Sequence, residues 1–205
     1  MNGIETDLRG AGRRDVRDAS AEAARRFAVR AAEDNLIDVS YGLVDTRFGR
    51  WFVAATAKGL VRLAFHADPV EEVVADLARR VSPRVLEAPG RVDAVRRELD
   101  EYLEGRRRTF DLPLDWRLVQ GFSARVLHAT ARIPYGGVST YRDVAARAGN
   151  PRAMRAAGNA LGANPLPIVV PCHRVVRTGG QIGNYGGGTD MKRALLLLEG
   201  ALEED

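Results

Sequence analysis

Between Ser40 and His66 the chain alternates apolar and polar residues with period two. The runs Tyr41-Gly-Leu-Val-Asp-Thr, Arg50-Trp-Phe-Val-Ala-Ala-Thr-Ala and Leu60-Val-Arg-Leu-Ala-Phe-His each suit a half-buried strand. Phe48-Gly49 and Lys58-Gly59 separate them at hairpin spacing, so an antiparallel three-stranded meander is predicted. Such a sheet must cover at least one face, and the sequence after it supplies the cover. Asp68-Pro69-Val70-Glu71 opens a helix with Asp as cap and Pro in the first turn, and Val70, Val73, Val74 and Leu77 form its apolar stripe. Ser82 to Ala88 reads as a further short strand. A second helix carries Val92, Val95, Leu99, Tyr102 and Leu103 at helical spacing, and Thr109 to Leu114 is expected to add a last strand. The Arg106-Arg107-Arg108 triplet reads as a solvated loop ahead of DNA contact. This half is a small α/β scaffold without a catalytic constellation.

Leu112-Pro113-Leu114-Asp115-Trp116 reads as a linker to a second, helical pattern. Phe122, Val126, Leu127 and Thr130 share a helix that Ile133-Pro134-Tyr135-Gly136-Gly137 ends. Thr140-Tyr141-Arg142-Asp143 resembles a capping box and starts a short helix to about residue 148. Gly149 stops it, Asn150 is expected to cap the next, and Pro151 to take its first turn, giving a helix running to about Leu161. Two short helices joined by Gly-Asn-Pro make a helix-turn-helix. The second is built of alanine and glycine and can approach a groove closely. No acid occurs between Asp143 and Asp190, whereas Arg147, Arg152, Arg155, Arg174 and Arg177 do, as suits a phosphate backbone. Thr189 is expected to cap the last helix. At the other end, residues 1–39 carry interleaved charges, with Ser20 able to cap a helix from Ala21 to about Asp34; a tail or loosely docked helix without chemistry is expected.

The single cysteine, Cys172, lies in Pro171-Cys172-His173-Arg174, behind the apolar run Ile168 to Val170. Proline stiffens the backbone beside it. One cysteine excludes an internal disulfide, and with three histidines in the chain, His66 and His128 among them, it gives no basis for a structural zinc. There is no apolar run of transmembrane length and no signal peptide pattern, so a cytoplasmic location is expected, which also keeps a thiol reduced. A thiol of ordinary pKa, about 8.5, is only a few per cent thiolate near neutrality and needs a base nearby. His173 is a candidate. In an extended segment adjacent side chains point apart, so direct contact between the two is not expected.

Asn164-Pro-Leu-Pro, Pro171-Cys-His-Arg-Val, Gly183-Asn-Tyr-Gly-Gly-Gly and Leu198-Glu-Gly resemble the O6-alkylguanine-DNA alkyltransferases, the methylated-DNA–protein-cysteine methyltransferases. Tyr135-Gly136, Thr140-Tyr141 and Ala148-Gly-Asn-Pro-Arg-Ala-Met-Arg155 match as well. The resemblance is close over 118–200, general over 40–117, and absent from the first forty residues. It implies a ribonuclease H-like N-terminal α/β domain with an antiparallel sheet (40–115), after the charged extension 1–39. A mainly helical, winged-helix-like C-terminal domain carrying the helix-turn-helix (118–205) would follow.

The resemblance also implies irreversible, once-only transfer of an alkyl group from O6 of guanine, and from O4-methylthymine, to Cys172. The base would first be flipped out of duplex DNA. Water would bridge Cys172 to His173, and Glu199 would orient His173. Asn164 would hold the loop before the nucleophile, and Tyr141 would rotate a phosphate and donate a proton to the base. Arg155 would fill the vacated stack. Ser123, Arg142, Asn150 and Thr178 fall where relatives contact the DNA backbone, and Tyr185, Pro167 and Val175 belong to the alkyl pocket. No cofactor or metal is implied; the partner is double-stranded DNA containing O6-alkylguanine, met by a monomer that can assemble cooperatively on DNA. The alternative is a lesion-binding protein without transfer activity, whose members keep the arginine and tyrosine but lack the cysteine. A Cys-His-Glu hydrolase has no use for the arginine-bearing helix, and a redox sensor would lack a resolving cysteine.

Overall fold

The computed structural model describes residues 36–65 and 68–203, together with Glu22, Ala23, Arg26 and Arg30. The helix expected over 21–34 otherwise lies outside the described residues, as does His66. The meander forms as expected: β1 (Val39–Thr46), β2 (Gly49–Thr56) and β3 (Gly59–Ala64) pair antiparallel in sequence order. A fourth strand, β4 (Val85–Glu87), joins the outer edge of β1 in parallel, so the sheet is mixed, in the order β3-β2-β1-β4, and not purely antiparallel. The α1 helix (Val70–Arg80) returns the chain across the sheet, which is what turns β4 parallel.

The central strand β2 is buried on both faces. Trp51 and Val53 enter one core, Phe52 and Ala54 the other. Against Phe52 and Ala54 packs α1, through Val73 and Leu77. Against Trp51 and Val53 pack α2 (Asp93–Leu103) and the helices of the second half. A register shift opposite Ala54/Ala55 places an extra residue in β3, so Leu60 and Leu63, three apart, reach the same core.

The second half holds α3 (Gly121–Thr130), α4 (Tyr141–Arg147), α5 (Met154–Gly162) and α6 (Thr189–Leu198). A two-stranded parallel pair, β5 (Ser139–Thr140) and β6 (Val175–Val176), ties the start of α4 to the residues after Cys172. The capping box at Thr140 is present, with Thr140 Oγ1 accepting from the Asp143 amide at 3.1 Å.

Several local expectations fail for identifiable reasons. Thr109 to Leu114 makes no strand; only Leu114 bridges Leu60, because the amide of Leu60 takes the Pro113 carbonyl (2.8 Å) at the edge of β3. The supposed linker is therefore docked, with Asp115 accepting from Thr56 (2.6 Å) and Arg117 (2.8 Å). Asp68 does not cap α1: Pro69 takes the cap position and the helix begins at Val70, while the Asp68 carboxylate lies 3.9 Å from Arg62. Asn150 and Pro151 form a turn ahead of α5, where Asn150 Oδ1 accepts from the Arg152 amide (3.1 Å) and the helix begins only at Met154. Thr189 is the first residue of α6 and Gly188, at φ +88°, precedes it as the cap. The arginine triplet is internally satisfied: Arg107 binds Glu101 and Asp111, Arg106 binds Glu104, and Arg108 lies over the Tyr135 ring.

Candidate active site

Cys172 sits on a short 3-10 turn, Cys172–Arg174, not in the extended conformation expected, and its side chain is almost fully buried. The loop that delivers it is tightly held. Asn164 is the clasp: its amide nitrogen donates to the Val170 carbonyl (2.9 Å) and to the Cys172 sulfur (3.2 Å), and its oxygen accepts from the Leu166 amide (3.0 Å). Between them Ile168 is forced to φ +72°, a conformation that costs a β-branched residue on the order of 1–3 kcal/mol. The surrounding structure enforces it: Leu166, Ile168 and Val170 are all wholly buried, and Leu63 of β3 donates its amide to the Pro165 carbonyl (2.8 Å).

The 3-10 turn carries His173 into the protein. The imidazole is completely buried, with Nε2 3.0 Å from Glu199 Oε1. Glu199, one residue past α6, is buried rather than a surface glutamate. Arg174 grips it with two bonds, Nε to Oε2 (2.8 Å) and Nη2 to Oε1 (2.8 Å), and donates Nη1 to the Ile133 carbonyl (2.6 Å). Arg174 is thus removed from the surface arginines expected to face phosphate. A fourth donor comes from α2: Tyr102 Oη gives its hydrogen to Glu199 Oε1 at 2.5 Å and lies 3.3 Å from His173 Nε2.

Burial alone would raise the Glu199 pKa, but the bonds from His173 and Arg174 outweigh it and hold it down at about 2. An ionised Glu199 requires the hydrogen of neutral His173 on Nε2, leaving Nδ1 as its basic nitrogen. Nδ1 is buried and has no protein partner. Burial lowers the His173 pKa, against the pull of Glu199, so the ring is a neutral base near pH 7. Burial likewise raises the Cys172 thiol, opposed by the Asn164 bond and the charge of Lys192. Lys192 is itself wholly buried on α6, donates Nζ to the Val175 carbonyl at 2.6 Å, and is brought down to about 8 by burial.

Cys172 opens onto a cavity of about 520 Å³ lined by Tyr141, Leu161, Arg177, Asn184, Tyr185 and the α5 backbone around Gly158. Two glycines make room for its aromatic walls. A Cβ on Gly183 would lie 2.7 Å from the Tyr141 hydroxyl, and one on Gly187 3.1 Å from the Tyr185 ring. Tyr185 packs edge-on to His173 and against Phe65 of the sheet. Burial raises the Tyr141 and Tyr185 hydroxyls, so both carry their protons. Pro167 and Val175 are buried close in the chain to Cys172 but do not line this cavity. Arg155 is exposed on α5, one turn before the cavity-lining Gly158 and Asn159 and on the same helical face. Arg142, Asn150 and Thr178 are exposed and Ser123 half-buried, at the ends of α4, the α4–α5 turn, the segment after β6 and the start of α3.

Sequence reasoning missed three residues here. Tyr102 looked like one more apolar position of α2, Arg174 like a phosphate-facing arginine, and Lys192 was not singled out. A signal was available for the last two: both lie beside apolar runs, Val175-Val176 and Leu195 to Leu198, that leave little room for an exposed charge. Tyr135-Gly136 also acquires a local role, since Tyr135 Oη donates to the Leu198 carbonyl (2.9 Å) and a Cβ on Gly136 would sit 3.0 Å from the Glu199 carbonyl.

Comparison with known proteins finds relatives for both halves of the chain. Residues 121–201 match the DNA binding domain of the 6-O-methylguanine DNA methyltransferase family, and residues 39–116 its ribonuclease-like domain. The inducible methylated-DNA–protein-cysteine methyltransferase of Bacillus subtilis is 37% identical over 169 residues, 82% of this chain and 93% of that protein. Among solved structures, Mycobacterium tuberculosis OGT in complex with DNA superimposes with a TM-score of 0.68 at 34% identity, covering 79% of this chain and 93% of that one. The O6-methylguanine-DNA methyltransferase of Pyrococcus kodakaraensis gives 0.57 at 27% identity, covering 79% and 99%.

Proposed function

Since the chain belongs to the 6-O-methylguanine DNA methyltransferase family, we propose that its buried thiol is the acceptor in a direct reversal of DNA alkylation. The protein is a methylated-DNA–protein-cysteine methyltransferase that repairs O6-methylguanine. The observation that carries the assignment of the acceptor is the placement of Cys172: its sulfur opens onto an aromatic-walled cavity, while the adjacent residue begins a buried His173–Glu199–Arg174 network.

The chemistry follows from those groups. The Cys172 proton passes to His173 Nδ1 through a water, as the resemblance implies, and Glu199 stabilises the imidazolium that forms. The thiolate attacks the carbon attached to O6; the S–C bond forms as the C–O bond breaks, and the electron pair leaves with the guanine. Tyr141, which burial keeps protonated, gives its proton to the departing base. Asn164 holds the sulfur for attack from one direction. The product thioether has no hydrolytic leaving group, so each molecule acts once. O4-methylthymine offers the same methyl–oxygen bond to attack.

The substrate reaches the cavity only outside the base stack, so α5 would lie along the duplex and Arg155 would occupy the vacated space. Ser123, Arg142, Asn150 and Thr178 would contact the flanking backbone. Tyr185 would close the alkyl pocket, with Pro167 and Val175 behind it. The protein would meet the duplex as a monomer able to assemble cooperatively, in the reducing cytoplasm. Among the described residues no helix is long and apolar enough to cross a membrane. Cys172→Ser tests the acceptor: it should abolish transfer while leaving duplex binding intact. Methyl transfer by that variant would refute the assignment.

A further inference from the structure

A second groove, of about 490 Å³, lies between α3 and α4, away from the residues lining the Cys172 cavity. It is lined by Arg125, His128, Ala129, Arg132 and Arg147, with no carboxylate among them. Arg125 is fixed, donating Nε to the Ala148 carbonyl at 2.9 Å while its guanidinium lies 5.5 Å from the Phe122 ring centre. His128 is held too, its ring tilted against Trp116 with centroids 4.0 Å apart. Arg132 and Arg147 have no carboxylate within ion-pair reach among the described residues, and both are exposed. Asp143, one turn before Arg147, does feel its charge, but its carboxylate is engaged by Thr140.

The wider sequence sharpens the imbalance. From Trp116 to Thr189 the only acid is Asp143, against nine arginines at 117, 125, 132, 142, 147, 152, 155, 174 and 177. Arg174 and Arg117 are used internally, by Glu199 and Asp115. Three guanidinium groups around one groove repel each other at about 1 kcal/mol per close pair even in water. An anion relieves that repulsion. The groove adjoins the turn between the two helices of the helix-turn-helix: Arg147 ends α4, and Arg125 holds Ala148 within that turn. In such motifs the first helix crosses the phosphate backbone.

We propose that this groove seats the phosphodiester backbone of the same duplex, flanking the alkylated base, and extends the footprint beyond α5. Arg132 and Arg147 each neutralise one phosphate, and Arg125 holds the turn in place. The inference rests on the DNA repair function above. It asks for no contact with the base, so it contributes affinity without sequence preference.

The test is the salt dependence of binding to unmodified duplex. Arg132→Gln with Arg147→Gln should lower the slope of log K against log salt by about 1.8, at about 0.9 per phosphate, and weaken binding by roughly 10- to 100-fold near 0.1 M salt. Arg132→Lys with Arg147→Lys should restore the slope, and reaction with free O6-methylguanine base should stay at the parent rate in both. An unchanged slope in the glutamine variant overturns the proposal, as does an equal fall in both variants, which would make the effect one of shape. An unchanged slope with lost cooperativity between protein copies would give the groove to protein contact instead. Failure of the parent protein to bind duplex at all would overturn the repair reading itself.

Discussion

Lys192 is the most expensive side chain in the site to keep charged, and removing it should raise stability while slowing the reaction. The amine is wholly buried with a single partner, the Val175 carbonyl, and its pKa falls from 10.5 to about 8. Holding the charged form at neutral pH therefore costs at most about 3 kcal/mol. The sign is that of a depressed base. Below pH 8 the folded protein carries the full penalty, and between about 8 and 10.5 the unfolded chain binds more protons, so stability recovers as pH rises. Lys192→Met removes the penalty and fills a similar volume, at the cost of an unpaired carbonyl worth about 1–3 kcal/mol. A net gain of up to about 2 kcal/mol is expected at pH 7. The same charge favours the Cys172 thiolate, so the variant's thiol should titrate higher and transfer should slow. Denaturant titrations of both proteins from pH 7 to 10.5, with thiol alkylation rates over the same range, check both halves. The advantage of the variant should vanish and reverse by pH 10.5, where only the unpaired carbonyl remains. A stability difference independent of pH, or a variant thiol titrating at the parent pH, would refute the reasoning.

Tyr102→Phe keeps the ring but deletes a buried bond to a carboxylate, so it should destabilise by about 2 kcal/mol. It should slow transfer to free base and to duplex by the same factor with duplex affinity unchanged, read by parallel kinetics; a loss confined to duplex would contradict a role through Glu199. Glu199, held near pKa 2 against an ordinary 4.5, supplies stability that is fully present above about pH 4.5 and lost as pH falls toward 2. Glu199→Gln should flatten that acid limb in a comparison of pH-dependent unfolding curves. It should also lose about 3–5 kcal/mol at pH 7, since Arg174 is left buried without its partner. Arg155→Ala should slow repair in duplex more than reaction with free O6-methylguanine, and equal slowing of the two in competition assays would count against a flipping role.

The scaffold was legible where local chemistry decides. The period-two runs and Gly turns placed β1, β2 and β3, and the Thr140–Asp143 capping box placed α4, because each depends on neighbours a few residues apart. The parallel pairing of β4 was not, since it is set by where α1 returns the chain. Nor was the loss of the 109–114 strand, where docking on the β3 edge overrides a suitable local pattern. In the site, the motif around Cys172 stood out, but its turn geometry did not: the residues permit an extended segment, and the Asn164 clasp with Ile168 at positive φ imposes a turn. Glu199 meets His173 across 26 residues and Tyr102 meets Glu199 across 97. Contacts of that span leave no periodic trace, so a tyrosine on an apolar stripe reads as core until its hydroxyl is located.

The central claim is that the lone thiol accepts the alkyl group once. Intact-protein and peptide mass spectrometry, after incubation with duplex DNA containing O6-methylguanine, tests it directly. The account predicts one added methyl, confined to the peptide bearing Cys172 and saturating at one per protein molecule. A protein that binds the same duplex tightly and gains no mass, or gains it elsewhere, would contradict it.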